Sequence, residues 1–405
     1  MVNIKKISKS LRYVGKQLFI NNVDCENIIK IHNTPIYCYS LTEIIGNYNN
    51  FHKSLKKLNP LICYAVKANF NKEIIKILGK LGSGADVVSK GELKLALDSG
   101  ISPKKIVFSG VGKTKEEIIY ALKKKIFQIN VESEEELEEI NNLAVSKKTL
   151  VNISLRVNPD VDANTHKKIS TGRSDDKFGI PISQVVEIFK RKNDYSNLKI
   201  NGIAIHIGSQ ITKIDPFKNA FEKIRKLILR LEKNKIHIKN LDLGGGIGIN
   251  YFENQVISLK KYSSIIKKEF GRMNLKLIFE PGRSIVGSAG FIISKVIRVK
   301  KGLGKNFLIL DVGMNDLMRP SLYESYHHII PMKKLNRKKR NYDIVGPVCE
   351  SSDIFGSNRD LNEVKSGDYL ILCSAGAYGS CMSSNYNCRP LIKEIVVNDS
   401  DFFKS

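Results

Sequence analysis

Long apolar runs are missing from this sequence. None of its 405 residues falls in a stretch approaching the roughly 18–20 apolar residues that a membrane-crossing helix needs, so no transmembrane helix and no membrane partner are expected. The opening residues, MVNIKKISKSLRYVGKQLF, are basic but contain neither an apolar core nor a small-residue cleavage site, which argues against a secretory leader. Paired cysteines are missing too. The seven present (Cys25, Cys38, Cys63, Cys349, Cys373, Cys381 and Cys388) are odd in number and widely spaced, with no CxxC. Neither a disulfide framework nor a zinc site is expected, and a reducing, cytoplasmic setting is the natural one. The seven histidines form no HExxH and no other ligand spacing on one helix face, so no metal is implied. Acid is scarce against base: 40 Asp and Glu face 66 Lys and Arg, a net charge of +26. The lysines are scattered over most expected helices rather than gathered in one arm, and no nucleic-acid recognition motif accompanies them. The reading is a solvated basic surface with no specific nucleic-acid partner, useful at most in attracting anionic substrates.

What remains is an ordinary globular composition, 42% hydrophobic and 26% charged, in a chain long enough for more than one domain and a large core. Residues 1–34 are polar, with one strand-like piece near Gln17–Val23. A rhythm then begins. Strand-like runs stand at Pro35–Tyr39, Leu61–Lys67, Ala85–Val88, Lys105–Ser109, Phe127–Val131, Val151–Val157, Gly202–Ile207, Leu241–Leu243 and Lys276–Glu280. Helix-period segments lie between most of them: Lys72–Leu81, Gly91–Asp98, Lys115–Lys124, Glu134–Ser146, Gln184–Lys192, Phe217–Lys233 and Leu259–Phe270. Thr114 with Glu117, and Ser133 with Glu136, read as capping boxes.

Strands alternating with single helices imply a parallel sheet. With the first run set aside as a lead-in, eight strands remain, the number that closes a (β/α)8 TIM barrel; an open doubly wound sheet is the alternative. Lys67, Ser89, Ser109, Glu132, Asn158, His206, Gly244 and Glu280 all fall at or just past the C-terminal ends of their strands, which in a barrel form one functional mouth. Past residue 285 the pattern changes to strands with few helical periods between them, at Gly287–Lys300, Asn306–Val312, Tyr342–Val348, Tyr369–Cys373 and Lys393–Val397. This reads as an all-β domain, a sandwich or Greek-key barrel. The expected division is an N-terminal segment, 1–34, packing with the β domain; a barrel, 35–285; and the β domain, 286–405. Lys333–Arg340 reads as a solvated loop and the terminal DSDFFKS as frayed.

The first candidate for chemistry is Lys67, which ends the apolar run LICYAV. A cation at the end of a buried strand is costly unless it is paired, reaches water, or loses its charge, for example by forming a Schiff base with pyridoxal phosphate. Gly244-Gly245-Gly246-Ile247-Gly248 follows the seventh barrel strand without the Lys-Ser/Thr of a P-loop; it is either a tight turn or an anion cradle. Glu280-Pro281-Gly282-Arg283 follows the eighth strand, where phosphates often bind in barrels. Its carboxylate suits a protonated pyridine nitrogen and its guanidinium an anion, or the two pair with each other. His206, in His206-Ile207-Gly208-Ser209-Gln210, would either stack on an aromatic cofactor or sit hydrogen-bonded in the core. The β domain adds Arg319 with Tyr323, Cys349 with Glu350, and Tyr378 in AGAYG. Cys349 has the chemistry of a proton donor or of a small buried hydrophobe.

The set YAVKAN, GADVVSKGEL, HIGSQ, LDLGGGIGI, EPGRSIV, MNDLMRPSLYESYH, GPVCESSDIF and AGAYGSCMSSNYNCRP closely resembles the diaminopimelate decarboxylases. These are fold-type-III pyridoxal 5'-phosphate enzymes akin to alanine racemase and the eukaryotic ornithine decarboxylases. The motifs keep their order from about Thr34 to Val397. The resemblance implies that Lys67 carries the cofactor and His206 stacks on its ring. Ser209 is among the cofactor-binding residues, and Gly245, Gly246 and the turn Glu280, Pro281, Gly282, Arg283 hold the phosphate, with Glu280 at the pyridine nitrogen. Arg283, Arg319 and Tyr323 match substrate-binding positions, Glu350 the reader of the distal amino group, and Tyr378 a contact to both cofactor and substrate. Cys349 matches a proton donor that reaches into a neighbouring subunit's site, so a homodimer with shared active sites is implied. The implied reaction takes meso-diaminopimelate to L-lysine and carbon dioxide. The alternatives are an ornithine, lysine or arginine decarboxylase or racemase of the same fold, or a non-enzymatic relative. Ornithine decarboxylases carry Asp directly after the cysteine, whereas this chain has Glu350-Ser351-Ser352. Cys388, where a small polar residue is common, and the basic surface are the departures from the family pattern.

Overall fold

The structure, a computed structural model, describes residues 4–163, 165–169, 171–173, 175–252, 256–334 and 336–404. Its contacts divide the chain into two units, one of Tyr48–Gly248 with Gln255–Gly282, the other of Met1–Asn47, Ile249–Asn254 and Arg283–Ser405. The sequence places these boundaries at 35 and 285; the strand Ile36–Ser40 accounts for the first difference. Its IYCYS is wholly buried and reads like a barrel strand. It pairs instead with Gly290–Lys301 on one edge, antiparallel, and with Lys393–Asn398 on the other, parallel.

The first unit is a closed parallel barrel of β1 (Leu61–Ala65), β2 (Gly84–Val87), β3 (Ile106–Phe108), β4 (Gln128–Val131), β5 (Val151–Asn158), β6 (Leu198–Ala204), β7 (Asn240–Asp242) and β8 (Lys276–Phe279). Each strand pairs with the next, and β8 closes on β1 with Ile278 opposite Leu61. The strands are short and buried on both faces, as a sheet covered by helices requires. Helix starts are set by side-chain caps. Thr114 and Glu117 form a complete capping box. Ser133 accepts from the Glu136 N–H, but the Glu136 carboxylate turns away, to the Glu132 N–H at 2.7 Å and to Lys113 at 2.6 Å. Lys113 is almost fully buried and needs the charge more than the cap does. Aromatic side chains of the helices Asp215–Lys233 and Leu259–Phe270 lock together and onto β8. Ring centroids are 5.1 Å apart for Phe217–Tyr262, 5.8 Å for Phe221–Phe270 and 6.4 Å for Tyr262–Phe279, spacings typical of favourable aromatic pairs.

The second unit is mostly β. Its main sheet runs in the order Ile354–Asn362, Lys339–Val345, Asn306–Leu310, Gly290–Lys301, Ile36–Ser40, Lys393–Asn398, Asp401–Lys404; Ile329–Pro331 and Tyr369–Leu372 branch from Gly290–Lys301. Leu11, Leu18, Ile20 and Val23, in or beside a small three-stranded N-terminal sheet, share one core with Ile36, Cys38, Phe291, Ile293, Ile371 and Val397. Three details depart from the sequence reading. The residues read as frayed form a strand, Asp401–Lys404, hydrogen-bonded to Lys393–Asn398. Ile354–Asn362 is a strand that polar residues, Gly356 and Asn358 at φ +50° had disguised; its register is irregular against Lys339–Val345. Lys333–Arg340 is pinned by ion pairs, Lys333–Glu26 at 3.2 Å, Arg337–Asp368 at 2.9 Å and Arg340–Glu363 at 2.9 Å, and its last residues begin a strand. Residue 335 lies outside the described residues.

Candidate active site

In the barrel unit, β1 ends at Ala65 and the chain turns through Val66–Ala68, which places Lys67 at the barrel's C-terminal mouth. Its Nζ lies 2.5 Å from Asp86 Oδ2, on the fully buried carboxylate of β2. The ammonium is thus paired rather than left to solvent, and Asp86 is a site residue that the sequence reading did not select. More carboxylates stand in the same interior. Glu280, just past β8, accepts from Ser109 Oγ at 3.3 Å and from Asn130 Nδ2 at 3.4 Å; Asn130 Nδ2 also reaches Asp242 Oδ2 at 3.1 Å. Burial pushes the Glu280 pKa well above the usual carboxylate range. The charges of Asp242 and Asp86 add to that shift and Lys67 opposes it. Asp242 is raised for the same first reason, against hydrogen bonds from its neighbours. Burial therefore shifts both acids toward their neutral forms.

The loops after β6, β7 and β8 are knitted by backbone bonds. Ile211 N–H donates to Gly246 O at 2.9 Å, Glu280 N–H to Gly244 O at 2.8 Å, and Ala65 N–H to Pro281 O at 3.1 Å. Ser209 is tied through its N–H to Ile169 O at 3.1 Å. A Cβ on Gly245 would run into the Glu280 carbonyl, and one on Gly282 would meet Ala68 Cβ at 2.8 Å. Gly282 thus lets the Glu280–Gly282 turn lie against the lysine turn, and Gly245 lets the triple-glycine turn lie against Glu280. Gly246 holds φ +100°, a left-handed conformation that favours glycine. His206 Nδ1 accepts from the Gly245 N–H at 3.2 Å, which fixes the tautomer with any ring proton on Nε2. Burial, with the charges of Arg156 and Lys67, holds its pKa far below the usual histidine range, so the ring is neutral.

In the β unit a second cluster forms around Tyr251, another residue not selected from sequence. Arg283 Nη1 donates to Tyr251 Oη at 2.8 Å, and its guanidinium lies 4.7 Å from the Tyr378 ring. Arg319, first residue of the helical turn Arg319–Tyr323, lies 4.4 Å from the Tyr251 ring. Cys349 and Glu350 are exposed in the single chain, on a loop fastened from beneath. Buried Asp353 accepts from the Val348 and Met314 N–H groups, each at 2.7 Å, and donates its own N–H to Glu350 O at 3.1 Å. The Glu350 carboxylate receives Tyr386 Oη at 2.7 Å and Ser352 Oγ at 2.9 Å, and these two donors lower its pKa.

A barrel with a lysine at its mouth, buried acids below it and a glycine cradle beside it is the arrangement of a pyridoxal-phosphate enzyme. Residues 41–287 match the family model described as pyridoxal-dependent decarboxylase, pyridoxal binding domain. Over nearly its whole length the chain is similar to the diaminopimelate decarboxylases of Aquifex aeolicus (44% identical, 98% of this chain and 94% of the relative) and Vibrio cholerae (44%, 94% and 92%). Among solved structures it is similar to diaminopimelate decarboxylase from M. jannaschii in complex with L-lysine (TM-score 0.94, 37% identical, 98% and 95% covered) and to that from Helicobacter pylori with L-lysine (TM-score 0.91, 41% identical, 94% and 95% covered). The chain belongs to the diaminopimelate decarboxylase family. Among the described residues no helix is long and apolar enough to cross a membrane.

The residues present fit pyridoxal phosphate. The barrel interior gathers the carboxyls of Asp86, Asp242 and Glu280 near Lys67, acidic partners suited to a pyridine nitrogen. The close glycine turns let the loops after β6, β7 and β8 meet where side chains would not fit, and turns of this kind can direct N–H groups to an anion. A first test follows from the tightest contact. Gly245→Ala should lower cofactor affinity at least about tenfold, because the new methyl must push the Glu280 carbonyl or the cradle aside. Equilibrium dialysis of pyridoxal phosphate against the variant checks this.

Proposed function

We propose that the two clusters serve one reaction, the decarboxylation of meso-2,6-diaminopimelate to L-lysine and carbon dioxide, the last step of lysine biosynthesis. The observation that carries the reading is Lys67, a nucleophilic amine held by Asp86 at the barrel mouth, on a turn against which Gly282 of the Glu280–Gly282 turn packs. When bound, pyridoxal phosphate supplies an electron sink for the pair left behind as carbon dioxide departs. Lys67 Nζ would anchor that group, the Glu280 carboxyl would serve its ring nitrogen, and His206 would pack against its ring. Backbone N–H groups at Gly246 and Gly282, with Ser209 and Arg283, hold the phosphate, Gly245 and Pro281 shape the turns that border it, and Tyr378 touches cofactor and substrate.

Arg283, Arg319 and Tyr323 bind the carboxylate that the product keeps. The Glu350 carboxylate, ionised and aimed by Tyr386 and Ser352, reads the distal ammonium. Cys349 Sγ delivers the proton that replaces the lost carboxyl. Cys349 and Glu350 are exposed in the single chain, which supports a homodimer in which each copy completes its partner's site. The cytoplasm is the expected location, and no specific nucleic acid or membrane is assigned as a partner.

Carbon dioxide release from meso-diaminopimelate, ornithine, lysine and arginine, measured side by side, tests the reading; a preference for any of the last three would overturn it. Glu350→Gln should lower kcat/KM for meso-diaminopimelate about 10–100-fold, the usual worth of a hydrogen bond to a charged group.

A further inference from the structure

Arg319 is 4% exposed, and among the described residues no carboxylate lies within ion-pair distance of it. Its nearest partners, Tyr251 and His327, are neutral. The guanidinium lies over the Tyr251 ring at 4.4 Å, and Nη1 lies 3.1 Å from His327 Nε2. Nε is buried with no hydrogen-bond partner among the described residues. Burial first, then the like charge of Arg283, lowers the Arg319 pKa to about 10, which still leaves it charged at neutral pH. A buried cation without a counter-charge is costly. The group is therefore built to meet an anion along the edge that carries Nε, the edge suited to bidentate carboxylate binding.

His327 decides which edge is left for that anion. Its ring is fully buried, and Nδ1 stands 2.8 Å from the Cys373 carbonyl. A carbonyl cannot donate, so Nδ1 carries the hydrogen and Nε2 is an acceptor. Burial and the Arg319 charge push the His327 pKa down to about 3, so the acceptor persists through any ordinary assay pH. Tyr251 packs edge-on against the ring, with centroids 5.4 Å apart and planes at 72°. His327 is thus held on two sides and holds Arg319 on a third.

We propose that His327 is the positioning residue of a carboxylate-recognition site: by accepting from Arg319 Nη1 it presents the Nε edge to the carboxylate that survives the reaction, and so sets the preference for substrates and products that carry this second carboxylate. The inference rests on the reading above, in which Arg319 touches substrate. The role lies in selectivity rather than in the chemical step.

L-lysine and cadaverine differ by that one carboxylate, so their affinities for the holoenzyme, measured by titration calorimetry, isolate it. His327→Asn can still donate to the Cys373 carbonyl but falls short of Arg319; His327→Gln can reach both. H327N should weaken L-lysine about 10–100-fold and leave cadaverine within about twofold. KM for meso-diaminopimelate should rise by a factor similar to the L-lysine loss, with kcat changing less. H327Q should recover most of the lysine-to-cadaverine ratio. A ratio unchanged in H327N, or lowered equally in H327Q, overturns the proposal and leaves His327 a packing residue. If H327N does not fold, the comparison moves to H327Q against His327→Leu, with the same two outcomes. A wild-type holoenzyme that neither turns over meso-diaminopimelate nor prefers L-lysine to cadaverine would sink the substrate assignment itself, a failure visible before any variant is made.

Discussion

Lys67→Ala is expected to bring carbon dioxide release below detection and to erase the visible absorbance of bound cofactor. On the proposed reading the amine at this position would be both the covalent anchor and the group that product release restores, and alanine supplies neither. The substitution also removes the ammonium paired with Asp86, whose side chain is fully buried. Breaking a buried pair costs several kcal/mol, but Lys67 is partly exposed, so roughly 1–3 kcal/mol is the reasonable loss. Lys67→Arg separates the two effects: it keeps a positive charge near Asp86 and should recover stability without recovering turnover. An absorbance spectrum, a thermal melt and a carbon dioxide assay on the two variants suffice. A visible band and turnover that both survive in the alanine variant would remove the cofactor assignment.

Cys349→Ala should bind cofactor as the parent does and turn over about 10²–10⁴-fold more slowly, the range for loss of a positioned proton donor. The thiol stands on an exposed loop whose framework bonds run through Asp353 and backbone groups, none through Sγ. The variant should therefore melt where the parent does. A stopped-flow trace that separates cofactor binding from product formation would show the loss in the second phase only. An unchanged rate would leave the reprotonation to another group.

How much of this could be read from the sequence varies with the kind of signal. The barrel strands were legible because each is a short apolar run bounded by turn residues, with a polar residue at its C-terminal end. Lys67, His206 and Glu280 were found by that signal. Asp86, Asn130 and Asp242 were not, because they sit inside their strands, where an isolated polar residue passes for noise. The alternation Gln128-Ile129-Asn130-Val131 was available and marks an interior polar face: Gln128 Nε2 donates to Asn130 Oδ1 at 2.9 Å. Tyr251 and His327 had no local signal; what marks them is a guanidinium brought against them by the fold. The run at Ile36–Ser40 was set aside as a lead-in, but its place in the β unit was not legible because a strand buried on both faces looks alike in a barrel and in the middle of another sheet.

Asp353 gives the loop from Cys349 to Ser352 a property that its chemistry alone would not. The anchoring bonds run from a buried carboxylate to the N–H groups of Val348 and Met314, so the scaffold does not depend on which side chains occupy the exposed positions between. On the proposed reading, a change of side chain at Cys349 or Glu350 would alter the chemistry offered there while the Asp353 anchors to Val348 and Met314 stay in place.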